Sequence, residues 1–319
     1  MMPRIECRHP TENDLESIAK ICNDSRRGLP SQRPVNVNEV RAKTFIDSDY
    51  DPEGAWLATV DGEDVGYANG YVDQARLAYG LRDSYVEDLE VMQGHRGNGI
   101  EETLLEMALI YLKGRGVSGT QIPYYRMDTW RKRLLETAGF LEVRRYYEMV
   151  RNDDREPEKA VFPKDIQIER RLINNCPDEL PSRIVDVRNE SFVDHFNYAP
   201  IPVDKIKNFF EATDTTLSVT FAVDHEKTVG FVVSEDRPPE TEGVDKRDGW
   251  VAILGVVRSH RRRGLGRNLL LDSVNWLKSK GAERILLMVD AENEKALGMY
   301  KFAGFEVESV EILMVKDLP

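Results

Sequence analysis

The residues best suited to chemistry lie in the second half of the chain, in two clusters. Arg261-Arg262-Arg263-Gly264-Leu265-Gly266-Arg267 follows the apolar run Trp250 to Val257, which reads as strand, tight turn and helix. Gly264 and Gly266 lack Cβ atoms, so the backbone can turn sharply and a ligand can approach closely. The free N–H groups of such a turn and of the helix start form a nest for an anion, reinforced by the positive end of the helix dipole. Arg261, Arg262, Arg263 and Arg267 add positive charge suited to a pyrophosphate. No GxxxxGK(S/T) occurs in the chain, so this is not the nucleotide P-loop. The second cluster is Asn293, Ala296 and Tyr300, with Gly304-Phe305 beyond it. Spacings of i, i+3 and i+7 put the three on one helical face. A small residue between an amide and a phenol leaves room for a slender ligand.

Positioning these clusters requires an alternation of element types. Leu217, Val219, Phe221 and Val223 alternate with Ser218, Thr220 and Ala222, the pattern of a half-buried strand. A polar turn from Asp224 to Thr228 leads into a second strand, Val229 to Ser234, giving a hairpin. The run Trp250 to Val257 reads as a central strand covered on both faces. From Arg267 to Lys280, Leu270, Val274 and Leu277 share a helical face, and Gly281 supplies the stop. Ile285 to Val289 is another buried strand, and Asn293 to Phe302 a short helix. Ile184, Val185, Arg188 and Phe192, then Val203, Ile206 and Phe210, suggest two earlier helices. The order describes a mixed α/β domain.

That domain is built twice. Arg96 and Gly99 stand 165 positions before Arg261 and Gly264, and Gly139-Phe140 stands 165 before Gly304-Phe305. Val65-Gly66-Tyr67 echoes Val229-Gly230-Phe231 at 164, and Asn23-Asp24-Ser25 echoes Asn189-Glu190-Ser191 at 166. Echoes in the same order, drifting by single residues, are what loop insertions in a duplicated chain produce. A length of 319 residues fits two domains of about 150 residues each. The charged stretch from Arg151 to Lys159, closed by Pro157 and Pro163, reads as a linker. The expected division is therefore 1–150, linker 151–163, and 164–319.

With 41% hydrophobic and 31% charged residues, the chain reads as globular rather than disordered. A net charge of −12 disfavours general nucleic-acid or anionic-membrane binding and favours local basic sites. Cys7, Cys22 and Cys176 are scattered, without metal or disulfide spacing, so neither a zinc site nor a disulfide framework is expected. Met1 to Glu6 has no signal-peptide core, and no run of 18 apolar residues exists, so the cytoplasm is the expected compartment.

The glycine turn after an apolar strand, together with Asn293, Ala296 and Tyr300, resembles the GCN5-related N-acetyltransferase family. The resemblance implies two tandem bent mixed sheets flanked by helices, with acetyl-CoA bound where neighbouring parallel strands splay apart. The backbone from Arg262 to Arg267 would hold the pyrophosphate, and Leu254 and Val256 would pair with the pantetheine arm. Asn293 would bond the pantetheine or acceptor side, Ala296 would line the channel, and Tyr300 would protonate the departing thiolate. The implied reaction is direct attack of a primary amine, on a small molecule or a protein, with no metal and no covalent enzyme intermediate. A backbone N–H of the strand carrying Val256 would serve as oxyanion donor. A phenol with free pKa near 10 can supply a thiolate whose conjugate acid is near 8.5. A base for the amine is open: Asp194, His195, Glu235 and Asp248 are candidates by position. A catalytically silent CoA-binding or sensory module is the alternative.

The first half departs from this pattern. Arg96-Gly97-Asn98-Gly99-Ile100-Glu101 keeps the arginine and the turn glycine but carries a carboxylate where Gly266 stands. Such a group would repel a diphosphate. Asp128, Arg131 and Leu135 replace Asn293, Ala296 and Tyr300. The expected first domain is an inactive copy, with a weak CoA site of altered role as the alternative, and tandem halves of this kind resemble the mycothiol synthase-like branch of the family.

Overall fold

Glycine turns and apolar periodicity divide the chain into elements much as the sequence suggests. The structure, a computed structural model, describes residues 4–29, 34–81, 83–152, 155–173, 179–212, 215–238 and 247–319. Met1 to Pro3, Cys176, and Asp153 and Asp154 of the expected linker lie outside the described residues. The elements are β1 (Ile5–Arg8), α1 (Leu15–Arg26), α2 (Val37–Lys43), β2 (Ala55–Val60), β3 (Glu63–Tyr71), α3 (Gln74–Ala78), β4 (Asp83–Val91), α4 (Ile100–Gly114), β5 (Gly119–Tyr125) and α5 (Thr129–Thr137). They continue as β6 (Leu141–Arg151), β7 (Gln167–Ile173), α6 (Glu179–Phe192), α7 (Val203–Ala212), β8 (Thr216–Asp224), β9 (Lys227–Arg237), β10 (Asp248–Val256), α8 (Leu265–Ser279), β11 (Arg284–Asp290), α9 (Glu294–Phe302) and β12 (Glu306–Asp317). No helix among the described residues is long and apolar enough to cross a membrane.

Two compact units result. Unit 1 holds residues 1–145 and 311–319, and unit 2 holds residues 146–310. The sequence places the division near the charged stretch, whereas the compact units divide at Arg145/Tyr146 and return the chain's last residues to unit 1. Strand pairing is the reason. Tyr146 to Arg151 of β6 pairs antiparallel with β11, and Glu311 to Asp317 of β12 pairs antiparallel with β5. Such pairing leaves no strand pattern in the linker composition, which is what the sequence reading relied on.

Within unit 1 the strands run β1-β2-β3-β4-β5 and then the end of β12. Within unit 2 they run β7-β8-β9-β10-β11 and then the end of β6. Each unit has a parallel pair, β4 with β5 and β10 with β11, among antiparallel neighbours. In β8 the sequence alternation suggests one solvated face. Instead Ser218 and Thr220 are buried along with Leu217, Val219 and Phe221, because α8 covers that side and Arg170 donates to the Thr220 hydroxyl at 3.2 Å.

Helix α8 carries the core of unit 2. Leu270, Val274 and Leu277 are fully buried on the face that the periodicity marks. Its carboxyl end closes as Ala282 N–H reaches the Leu277 carbonyl at 3.1 Å, with Gly281 at φ +88°, a conformation that favours glycine. Where β10 meets α8, a Cβ added to Gly249 would lie 2.9 Å from one Leu277 methyl and 3.1 Å from the Leu277 Cβ. Leu277 is fully buried and cannot swing away. Gly249→Ala is therefore expected to destabilise unit 2 by about 1–3 kcal/mol, read as a lower midpoint in urea unfolding.

Candidate functional site

Strands β10 and β11 part company halfway along. Their parallel pairing runs from Asp248 opposite Arg284 to Val251 opposite Leu287 and then stops. At the same point β10 shifts register against β9, between Val251 and Ile253. One extra residue in a strand bends it and strengthens its twist. Beyond the bulge β10 keeps β9 as a partner through Val256, while β11 keeps β6 from Met288 to Asp290. The facing edges are left without each other.

Into this opening falls a cavity of about 500 Å³. Val251 to Leu254 and Leu287 to Asp290 form its floor, Asn293, Ala296, Met299 and Tyr300 come from α9, and Tyr146 from β6. Arg188, Phe192, His195 to Tyr198 and Ile201 supply the wall from α6 and the chain that follows it. Leu254 thus lines the cavity. Val256 lies further along β10, facing Gly230, and its side chain would be 3.8 Å from a Cβ added to Gly266.

The turn after β10 is held by arginine side chains rather than lined by them. Arg261 Nε donates to the Val256 carbonyl at 3.1 Å, Nη2 to the Ser191 carbonyl at 2.6 Å and Nη1 to Asp194 at 2.8 Å. This guanidinium ties the turn to its own strand and to α6. Arg263 pairs with Asp165, and Arg267 pairs with Glu158 while lying over the Phe302 ring. Arg262 is exposed, and no ion pair engages it among the described residues. Its φ of +67° costs a residue with a Cβ about 1–2 kcal/mol. Gly264, at φ +80°, takes the same region and starts α8, and Leu265 anchors that start in the core. A Cβ on Gly266 would meet nothing closer than 3.6 Å, so packing within the chain does not demand glycine there.

On α9 the three expected residues do share a face. Asn293 is the helix cap, its Oδ1 accepting the Ala296 N–H at 3.2 Å. Tyr300 is 8% exposed and meets Phe305 edge-on, with ring centroids 6.2 Å apart. Burial pushes the phenol up to about 12, so it stays protonated across the working pH range. Of the four base candidates, His195 lines the cavity. Its ring packs on Phe192 at 4.4 Å. Partial burial first, then the Arg261 charge, lowers its pKa, which leaves the imidazole neutral at pH 7. Asp194 is committed to Arg258 and Arg261. Glu235 is buried, accepting from Thr215 at 3.0 Å and Arg237 at 2.7 Å. Asp248 lies at the start of β10, 3.9 Å from Arg284. Arg188, Asp290 and Tyr146 also face the cavity. Arg188 carried a signal: an arginine within the apolar stripe of a helix.

The corresponding place in unit 1 is filled. Strands β4 and β5 pair from Asp83 opposite Gly119 to Tyr85 opposite Gln121 and stop. Beyond them Glu90, 2% exposed, accepts from Ser25 at 2.6 Å, Arg26 at 2.9 Å and Arg131 at 2.8 Å. Arg26 also pairs with Asp88, and Arg131 with Asp128 at 3.3 Å. Burial opposes charge on Glu90, but Arg131 and Arg26 outweigh it and hold the carboxyl at about 2. Where repulsion was the expectation for Glu101, occupation is the finding: its Oε1 accepts the Gly97 N–H at 2.6 Å. The chain's own carboxylate takes that amide of the turn. Leu135, in the place of Tyr300, is fully buried. A larger cavity of about 730 Å³ in unit 1 lies along α4 and α5, with no residue of β4 or β5 in its lining.

Glu90 gives this cluster a pH signature. Its folded pKa lies below the ordinary 4.5, so its contribution is complete above that value and is lost as pH falls toward 2. Urea unfolding at a series of pH values is expected to show unit 1 losing up to about 3 kcal/mol across that window. Glu90→Gln should be less stable at pH 7 and show a shallower acid slope.

Comparison with known proteins agrees with this architecture. The sequence profile of the acetyltransferase (GNAT) family matches residues 18–127 and 182–305. A mycothiol acetyltransferase of Thermobispora bispora is 25% identical over 316 residues, covering 98% of this chain and 99% of its own. Its counterpart in Corynebacterium efficiens is 23% identical over 300 residues, covering 92% and 94%. A tandem GNAT protein from the clavulanic acid biosynthesis pathway has the same fold, with a TM-score of 0.78 at 13% identity over 99% of both chains. Fold and relatives together define an N-acetyltransferase of tandem construction. The chain belongs to the acetyltransferase (GNAT) family, in its mycothiol synthase-like form, and enzymes of this fold use acetyl-CoA as cosubstrate.

Proposed function

We propose that unit 2 is the catalytic unit, transferring acetyl from acetyl-CoA directly to a primary amine, and that unit 1 is a copy without activity. The observation that carries this reading is the contrast between the units. The same parting of parallel strands opens a cavity in unit 2 and holds a buried carboxylate and two arginines in unit 1. Relatives named mycothiol acetyltransferase support a small-molecule acceptor over a protein. The catalytically silent alternative is disfavoured because Tyr300 persists in the open site. A nucleic-acid role is disfavoured by the carboxylate partners of Arg258, Arg261, Arg263 and Arg267.

In this reading the N–H groups from Arg262 to Arg267 hold the diphosphate, with Arg261 fixing the turn. The free edge of β10, at Leu254 and Val256, takes the pantetheine as an added strand, and Asn293 and Ala296 border its path. The amine nitrogen attacks the thioester carbonyl, whose developing oxyanion meets a backbone N–H on that same edge. As the carbon–sulfur bond breaks, the thiolate takes the Tyr300 proton, and the amine's proton passes to His195 or to water. A phenol near 12 suits a thiolate that is itself desolvated, since burial raises the proton affinity of both.

Tyr300→Phe keeps the ring and removes the proton. The turnover number should fall roughly 100-fold or more, while the acetyl-CoA dissociation constant stays within about twofold. An undiminished turnover would remove the donor role.

A further inference from the structure

Arg188 sits where a cation is hard to keep. It projects from the apolar stripe of α6, between Val185 and Phe192, and lines the cavity opposite the free edge of β10. Its Nη1 donates to the Ala199 carbonyl at 2.8 Å and to the Asn189 side chain at 3.0 Å. Its guanidinium lies 5.3 Å from the Phe192 ring centroid and 5.9 Å from that of Tyr198. All of these partners are neutral. No carboxylate pairs with it among the described residues, unlike the half-buried Arg26 and the buried Arg76 and Arg131, each of which meets Asp or Glu. Burial lowers its pKa, with only the Tyr198 phenol acting the other way. The two aromatic rings and the Ala199 carbonyl hold the guanidinium in one orientation. A planar fork held in place within a cavity, with no carboxylate partner among the described residues, is suited to a carboxylate arriving on a ligand.

Building on the reading of unit 2 as the transferase, we infer that Arg188 recognises a carboxylate on the acceptor, so that the acceptor is a small amino acid-like amine. Geometry fits the rest of such a molecule. The cavity holds about 500 Å³ in all, part of which the acetyl and thiol ends must take, which leaves room for a small acceptor. Phe192, Phe196, Tyr198 and Ile201 give its remainder an apolar surface. His195 stands on the same wall.

The test does not depend on turnover. Binding of an N-acetylated aromatic amino acid, the product such an acceptor would give, is compared with that of its carboxamide by ligand-detected NMR. The proteins are the full chain, Arg188→Lys and Arg188→Met, with acetyl-CoA affinity measured alongside by calorimetry. The expected result is at least tenfold tighter binding of the carboxylate, reduced in Arg188→Lys and erased in Arg188→Met, with acetyl-CoA affinity equal in all three. Equal binding of the two ligands, binding of neither, or a preference that survives Arg188→Met overturns the inference, even where acetyl-CoA still binds. Loss of acetyl-CoA binding in the unaltered chain would instead sink the transferase reading. A carboxylate preference that remained would then belong to an anion site with another purpose.

Discussion

The parting of β10 from β11 after Val251 and Leu287 is the constraint on which unit 2 depends. A strand edge left without a partner inside a sheet costs hydrogen bonds, and the fold tolerates it only because both strands keep their outer neighbours. Everything chemical is arranged around that gap. The bulge opens it, α9 closes one side and α6 the other, and the turn after β10 lies beyond the residues that line it. Arg261 couples these parts, since its guanidinium bonds the strand, the helix and Asp194 together. The arginine of the motif thus holds the turn, and in the proposed reading the anion's share falls to backbone N–H groups.

Unit 1 fills the corresponding place with its own side chains. The strands still part, because bulge and topology are properties of the fold. The exposed edge is then satisfied internally. Glu90 takes the place that Gly255 holds in unit 2, and three donors converge on it. Gly255 has no space for a side chain, with Phe231 2.8 Å from a built Cβ. Glu101 completes the substitution by satisfying the turn's own amide. A buried ionic cluster is a costly filling, and its presence beyond the parting strands is what the proposed inactivity of unit 1 rests on.

Much of this was legible in the sequence, for particular reasons. Gly264 and Arg261 announce a strand, turn and helix because glycine is favoured at a left-handed turn. Asn293, Ala296 and Tyr300 share a face because helical periodicity leaves no other arrangement, and the constant offset exposes the duplication. What escaped notice depends on long-range geometry. That Glu101 folds back onto Gly97 rather than repelling a ligand follows from its rotamer. That β6 and β12 complete sheets at a distance from their own repeats follows from pairing, to which composition is blind. Arg263 and Arg267 read as ligand-facing charge, yet Asp165 and Glu158 engage them, partners about 100 positions away that no local pattern could signal. Ser218 and Thr220 read as solvated until α8 is laid over them. Arg188 stood in plain view within an apolar stripe, and only the cavity shows why a cation belongs there.

The central claim is that one open nest, in unit 2, takes acetyl-CoA while the other is occupied by the chain itself. Titration calorimetry on the full chain and on Gly266→Glu, which copies the Glu101 arrangement into unit 2, tests it most directly. The account expects one acetyl-CoA per chain, lost in the variant while unfolding of the apo protein remains cooperative. Two molecules per chain, or one molecule bound with undiminished affinity by Gly266→Glu, would contradict it.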